Sequence, residues 1–424
     1  MTANGWKKRC QAGYDRFLAN GRKVFEGSWF WIAIALVSAL GFLSRIAMFD
    51  FVSNDVAAFL IGWYRIFYEK GIRVALAEDI GDYTPAYMYV LGFISLFRPA
   101  PESLSFVHAL KYVSCLFDYV SAIFVLLLCL NRLRTEKWVA LIGYTATLFL
   151  PTILLNSAFW GQCDSIFTAF CVASLYYLSG NHQRTGLILY GCAFAFKLQS
   201  VFLLPFLVYL VLVKRLKLRF FLYIPLVYLL FALPSAICGR DFLQILIIYG
   251  NQGASYPYLV LNAPSLYAFF SDSMSNEKAI VNYLIPSSVF AGLSLIGALM
   301  LVLYQKKREP DFSDFFEIAY FFALLAPFVL PKMHERYFYL ADAFACYFFV
   351  VKPKKFYIAL LSTFGSLTGY INYLFDFTWF RDDNTTLRIG ALMILLALIL
   401  TGYDLLFPKE QKSKKDVLTE GIDL

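Results

Sequence analysis

The chain has 424 residues, of which 60% are hydrophobic, 19% aromatic and only 16% charged, with a net charge of +8. A soluble fold of this size rarely carries so little charge, and there is no basic, aromatic-interleaved domain of the kind that binds nucleic acid. The composition predicts an all-α, polytopic helical membrane protein, with 44 Phe and 29 Tyr filling its interior and its interfaces.

In chain order, a basic N-terminus over 1–28 (Lys7, Lys8, Arg9, Arg16, Arg22, Lys23) leads into the apolar run Trp29–Met48. That run is too long for a signal-peptide core and lacks a small-residue cleavage site, so it reads as a retained first span. A crossing helix needs about 20 apolar residues. Further spans are predicted over 103–130, 138–157, 163–180, 185–198, 199–213, 220–237, 283–304, 313–331, 337–351, 356–373 and 387–407. With the first span this makes twelve crossings within a single membrane domain, 29–407. The apolar stretch 84–98 is short and is expected to enter the bilayer without traversing it. The loops 131–137, 214–219, 305–308 and 352–355, both termini and the tail 408–424 are basic. Basic loops stay cytoplasmic, which places both termini inside. The outer segments are then 49–102, 157–163, the bend near 197–199, 238–282, 331–337 and 374–386. In the first of these, Val56, Phe59, Leu60, Trp63 and Phe67 fall on one face of a helix expected to lie along the interface. The eight Cys are scattered, mostly inside apolar runs, without metal or redox spacing.

Polar clusters mark the outer segments. Asp50 and Asp55 stand just past the first span; either could be a general base at the membrane surface, and Asp55 could instead cap the interfacial helix. GDYTPAY carries Asp82 and Tyr83 in a turn sequence. WGQCD places Trp160, Gln162 and Asp164 between two apolar helices, where ionisable groups usually mark sites. AFKLQ places Lys197 and Gln199 within an apolar stretch, at the junction of two short helices. LNAPSLY offers Asn262 in the second long loop. PKMHERY puts Lys332, His334, Glu335 and Arg336 in one short loop. Arg336 has the planar fork suited to phosphate oxygens, and His334 and Lys197 could add charge-assisted contacts. A carboxylate beside such a cationic group suggests transfer from a lipid phosphate.

In this order the motifs SND, GDYTPAYMYVL, NSAFWGQCDS, AFKLQSVFLLP, LNAPSLY and PKMHERYF resemble bacterial members of the GT-C superfamily. These are polytopic glycosyltransferases that use polyprenyl-phosphate sugars, often described as mannosyltransferase-related membrane proteins. The resemblance runs from about residue 40 to about residue 350. Ala86 departs from it, standing where a second proline or a larger apolar residue is expected. The resemblance implies an inverting, single-displacement hexosyltransferase at the outer face of the cell membrane, serving the assembly of an envelope glycan. It implies Asp55 as catalytic base, with Asp50 as the runner-up. Lys197, His334 and Arg336 would hold the departing lipid phosphate. Trp160, Gln162, Asp164, Asp82 and Tyr83 would line the sugar pocket, with Asn262 in the loop covering it; Gln199 and Glu335 would stand among the substrate contacts. The partners implied are a polyprenyl-phosphate sugar donor, a glycan or lipid acceptor and membrane lipids. No cofactor is expected, although Asp50, Asp55 and Asp164 could gather around a divalent cation. The alternatives are a multi-span transporter or glycan flippase, and a polymerase or ligase using a diphosphate-linked donor. Transporters usually hold charged sites at the midplane between repeats.

Overall fold

A computed structural model describes residues 28–275, 280–307, 309–375 and 384–407. The basic N-terminal segment before Ser28, residues 276–279, Arg308, residues 376–383 of the segment expected outside, and the tail after Phe407 lie outside the described residues. The described chain is almost entirely helical. Among the described residues, six helices are long and apolar enough to cross a membrane, and a bent pair would make a seventh. The six are Trp29–Ile46, Leu104–Leu133, Leu218–Cys238, Ile280–Lys306, Phe312–Val329 and Thr385–Leu406. The bent pair is Lys137–Phe149 with Pro151–Trp160, turned by 45°. Pro151 causes the bend. It has no N–H to continue the ladder, and it holds Leu150 extended (φ −60°, ψ 123°).

The remaining stretches expected to cross are helices shorter or less apolar than a full span. Asp164–Ser179 and Gln183–Phe196 form a hairpin of 16 and 14 residues. The second of these stops because Lys197 is extended (φ −154°, ψ 137°). A 3₁₀ turn, Leu198–Leu203, then leads into Leu204–Leu212. Tyr339–Val351 has 13 residues, and Phe356–Leu374 has 19 but carries more polar groups. The short stretch near 84–98 is the 11-residue helix Pro85–Ser95, which at 1.5 Å per residue rises roughly 16 Å, half a bilayer core.

Phe312–Val329 is the central post, with every residue from Asp314 to Val329 buried. A capping box at Asp311 and Asp314 closes its start. Trp29–Ile46 is the opposite case. It is a mostly exposed apolar cylinder, fit for lipid, with a buried charge near its end. That charge, Arg45, forms a fully buried ion pair with Asp118 at 2.9 Å.

The interfacial segment differs in part from the expected face. Val56–Leu60 is a π-helical turn, followed by the α-helix Ile61–Lys70. Val56, Leu60 and Phe67 of the expected face are buried and Tyr64 joins them, while Phe59 and Trp63 turn to a cavity. The buried set packs with Leu91, Phe106 and Leu110 into a satellite core beside the main bundle. Two short strands complete the fold. Val260–Leu261 pairs in parallel with Met333–His334, and Asn262 bridges to His334. This pairing docks the second long loop onto the 331–337 loop.

Candidate functional site

The helices that frame the site run between the basic segments and one common end. Lys137–Phe149 starts beside the basic 131–137 segment and its bent partner ends at Trp160. Phe312–Val329 starts past Lys307 and leads into the 331–337 loop, while Tyr339–Val351 returns to Lys352. The polar clusters therefore gather at the end of the bundle opposite the basic segments. There they surround a cavity of about 510 Å³. Asp55, Asp82, Tyr83, Gln162, Asn262, His334, Glu335 and Arg336 line it, together with the aromatic side chains of Phe59, Trp63, Tyr256, Tyr258 and Tyr373.

Asp55 stands in the wall of this cavity. It is helical (φ −65°, ψ −41°) and its side chain caps no backbone N–H, so the capping alternative does not hold. Its Oδ2 accepts from the Trp160 indole at 3.1 Å and from the Gln162 amide at 2.5 Å. Its Oδ1 accepts from the Tyr373 hydroxyl at 2.7 Å. A carboxylate has about four lone-pair sites. The described donors fill two on Oδ2 and one on Oδ1, which leaves room on Oδ1 for an incoming hydroxyl. The π-helical turn Leu155–Trp160 and Gly161 (φ +81°) aim these donors. A Cβ at Gly161 would lie 3.3 Å from Val56 Cγ2, so the turn passes close to the helix that carries Asp55.

Arg336 forms the second pole. Its Nη1 donates to Glu335 Oε1 at 2.7 Å and lies 3.8 Å from Asp55 Oδ2, while its Nε is 3.6 Å from Asp164 Oδ2. The guanidinium also covers the Trp160 ring at 5.2 Å. Arg336 is thus held loosely among three carboxylates, on the lining of the cavity. Burial pushes the Glu335 carboxyl up to about 7, against the pull of Arg336. Near neutrality this carboxyl is therefore divided between its protonated and charged forms, while Arg336 keeps its charge.

Two expected cations do not take the expected role. Lys197 is buried behind the cavity wall, where its ammonium donates to Asp164 at 2.6 Å and lies over the Tyr83 ring at 5.3 Å. A tightly paired, desolvated lysine is a strut of the wall rather than a free phosphate ligand. His334 lines the cavity, but burial, with Arg336 and Lys197 nearby, holds its imidazole well below the ordinary range. It is neutral at pH 7 and can offer a hydrogen bond, not a charge. Arg336 is then the one cation on the described lining.

Other expected residues sort by position. Asp82 and Tyr83 face the cavity, held by the bond from Gln252 to the Asp82 carbonyl and by the Thr84 hydroxyl on the Ala195 carbonyl at 2.6 Å. Trp160, Asp164 and Gln199 form its second layer, each buried. Asn262 (φ +54°) is fixed by its own amide oxygen, which accepts from Ser273 at 3.0 Å and Asn372 at 2.9 Å. Asp50 is displaced from the site. Its side chain is 80% exposed and meets His108 at 2.8 Å, outside the cavity. Asp50, Asp55 and Asp164 therefore do not come together, and no group of three or more His, Cys, Asp or Glu among the described residues is placed to hold a metal.

Sequence reading missed Tyr373 and Asn156. Tyr373 comes from Phe356–Leu374, beyond the last recognised motif. Asn156 sits in the apolar run before FWGQ and bonds Asp164 at 3.0 Å and Tyr370 at 3.2 Å. A polar residue inside an apolar run was the available signal for each. No protein-family model matches this chain, and no curated protein is significantly similar to it.

Proposed function

We propose that this protein is an inverting glycosyltransferase of the membrane's outer face, moving a hexose from a polyprenyl-phosphate donor to an acceptor hydroxyl. One observation carries this reading: a base-competent carboxylate, Asp55, and a loosely held guanidinium, Arg336, share one aromatic-lined cavity. The motif order of the GT-C resemblance supports it. Twelve crossings, with both termini cytoplasmic, would put that cavity at the outer rim. The broken and short helices would complete the count beside the six long ones.

The chemistry follows from the two poles. The acceptor hydroxyl bonds to the open position on Asp55 Oδ1. As its oxygen attacks the sugar carbon, its proton passes to Asp55. The bond from that carbon to the phosphate oxygen breaks on the opposite face, and its electron pair leaves with the polyprenyl phosphate. Arg336 neutralises this leaving group. To do so it gives up its contact with Glu335, which is inexpensive once Glu335 is protonated. Aromatic faces at Trp63, Tyr83 and Tyr256 suit the apolar faces of a pyranose.

The test is direct. Purified protein in lipid is incubated with a panel of polyprenyl-phosphate hexoses and acceptor glycans. Release of polyprenyl phosphate with a defined donor supports the reading. No release from any donor–acceptor pair, by protein shown to be folded, contradicts it.

A further inference from the structure

We infer that Lys111 is a positioning residue that aims Asp55, an inference that rests on the transfer reaction proposed above. Lys111 lies on the helix Leu104–Leu127 and is wholly buried. Its ammonium donates to the carbonyls of Met48 at 3.1 Å, Phe49 at 3.0 Å and Phe51 at 2.6 Å. An ammonium has three donors, and all three are used here. Asp50, which falls among these carbonyls in sequence, turns its carboxylate away to His108. A buried cation held by neutral carbonyls is costly and calls for an explanation.

Capping of the first helix does not provide one. The carbonyls of Leu43, Arg45 and Ile46 already accept from Ala47, Met48 and Phe49. Lys111 reaches past the helix end and grips the turn that leads to Asp55. The same turn is held from the other side by residues 159 and 160. The Phe51 ring stacks on Phe159 at 3.8 Å, and the Ser53 hydroxyl donates to the Trp160 carbonyl at 2.8 Å. Trp160 is also a donor to Asp55. The grip on the turn therefore sets where the carboxylate meets its own donors. Gly161 packs on the lysine stem, with a Cβ there 3.5 Å from Lys111 Cε.

The experiment uses the full chain in lipid nanodiscs and compares wild type, Lys111→Met and Lys111→Arg. Hydrogen exchange is read over residues 47–58, and transfer kinetics are read with the donor. Lys111→Met is expected to speed exchange in that segment on the order of tenfold, leaving the rest of the bundle unchanged. Turnover should fall about 100-fold with the donor KM within about twofold, because positioning rather than affinity is lost. Lys111→Arg should restore most of both. If Lys111→Met does not fold, Lys111→Gln, which keeps two amide donors, is read in the same way. Wild-type exchange over 47–58 in a folded variant would overturn the inference, as would a rise spread over the whole bundle or a loss confined to KM. If wild-type protein transfers no sugar, the reaction itself fails, while the exchange measurement still decides whether Lys111 holds the turn.

Discussion

Arg45 with Asp118 and Arg336 with Asp55 pair the same two side-chain types under opposite conditions. Asp118 is closed. It accepts from Arg45 Nε at 3.0 Å and Nη2 at 2.9 Å, from Ser157 at 2.5 Å and from Tyr339 at 3.1 Å, with both ion-pair side chains fully buried. Asp55 is open. Arg336 stays 3.8 Å away, the Asp55 side chain is 18% exposed, and a cavity lies in front of both. A pair saturated by its own protein has nothing left to offer a ligand, so it ties helices together. A pair held apart beside a cavity keeps unused hydrogen-bonding capacity for a substrate.

The comparison breaks most sharply by altering one carboxylate at each site. Asp55→Asn should lower transfer by about 10³- to 10⁴-fold, near the full value of a general base, with little change in melting temperature. Asp118→Ala should do the reverse to the fold: it leaves Arg45 buried without its carboxylate, and losing half of such a pair costs about 3–5 kcal/mol. A thermal melt of the two variants in the same detergent separates them. A large drop in stability for Asp55→Asn would erase the distinction.

Arg336→Ala comes next. Loss of charge-assisted bonds of about 1.5–3 kcal/mol predicts a donor affinity about 10- to 100-fold weaker, measured by titration with polyprenyl-phosphate sugar. Unchanged affinity would remove Arg336 from the phosphate role. Glu335 gives a smaller, pH-dependent effect. Its folded value of about 7 lies above its ordinary 4.5, so its contribution to stability is complete below the lower figure and lost as pH rises through the upper. Charged Glu335 also competes with phosphate for Arg336. Donor affinity should therefore fall severalfold from pH 6 to pH 8, and Glu335→Gln should flatten that slope. Asp50→Asn is the smallest case. Exposed on His108 and away from the cavity, it should change transfer less than about twofold.

The sequence marked many of the polar positions that line the cavity, and it marked a helical membrane protein with several apolar helices long enough to cross. Asp55 as base and Asn262 came from the order of the motifs, whereas Gln162 and Arg336 stood out as polar residues between apolar runs, where burial demands a reason. Lys197 shared that signal, but the signal is blind to pairing. The residue that neutralises it, Asp164, lies 33 positions away, and contact came from the fold. His334 likewise counts as a possible cation until its burial is known. Tyr373 and Lys111 carried that signal too, but nothing local showed what either one bonds. Each sits in a helix that reads as a span, and its partner is a residue or backbone carbonyl brought in from elsewhere in the chain. Twelve crossings were expected; among the described residues six helices, or seven with the bent pair, are long and apolar enough to cross, and Pro151 and the extended Lys197 divide others into shorter pieces. Of the expected interfacial face, Val56, Leu60 and Phe67 are buried, while Phe59 and Trp63 flank that stripe and border the cavity instead.

The central claim is that Asp55 takes a proton in a sugar transfer while Arg336 holds the phosphate beside it. Single-turnover transfer by Asp55→Asn, with the variant first saturated with donor, tests this most directly. The account predicts donor binding close to wild type and essentially no polyprenyl phosphate released. Release at the wild-type rate from the saturated variant would contradict it.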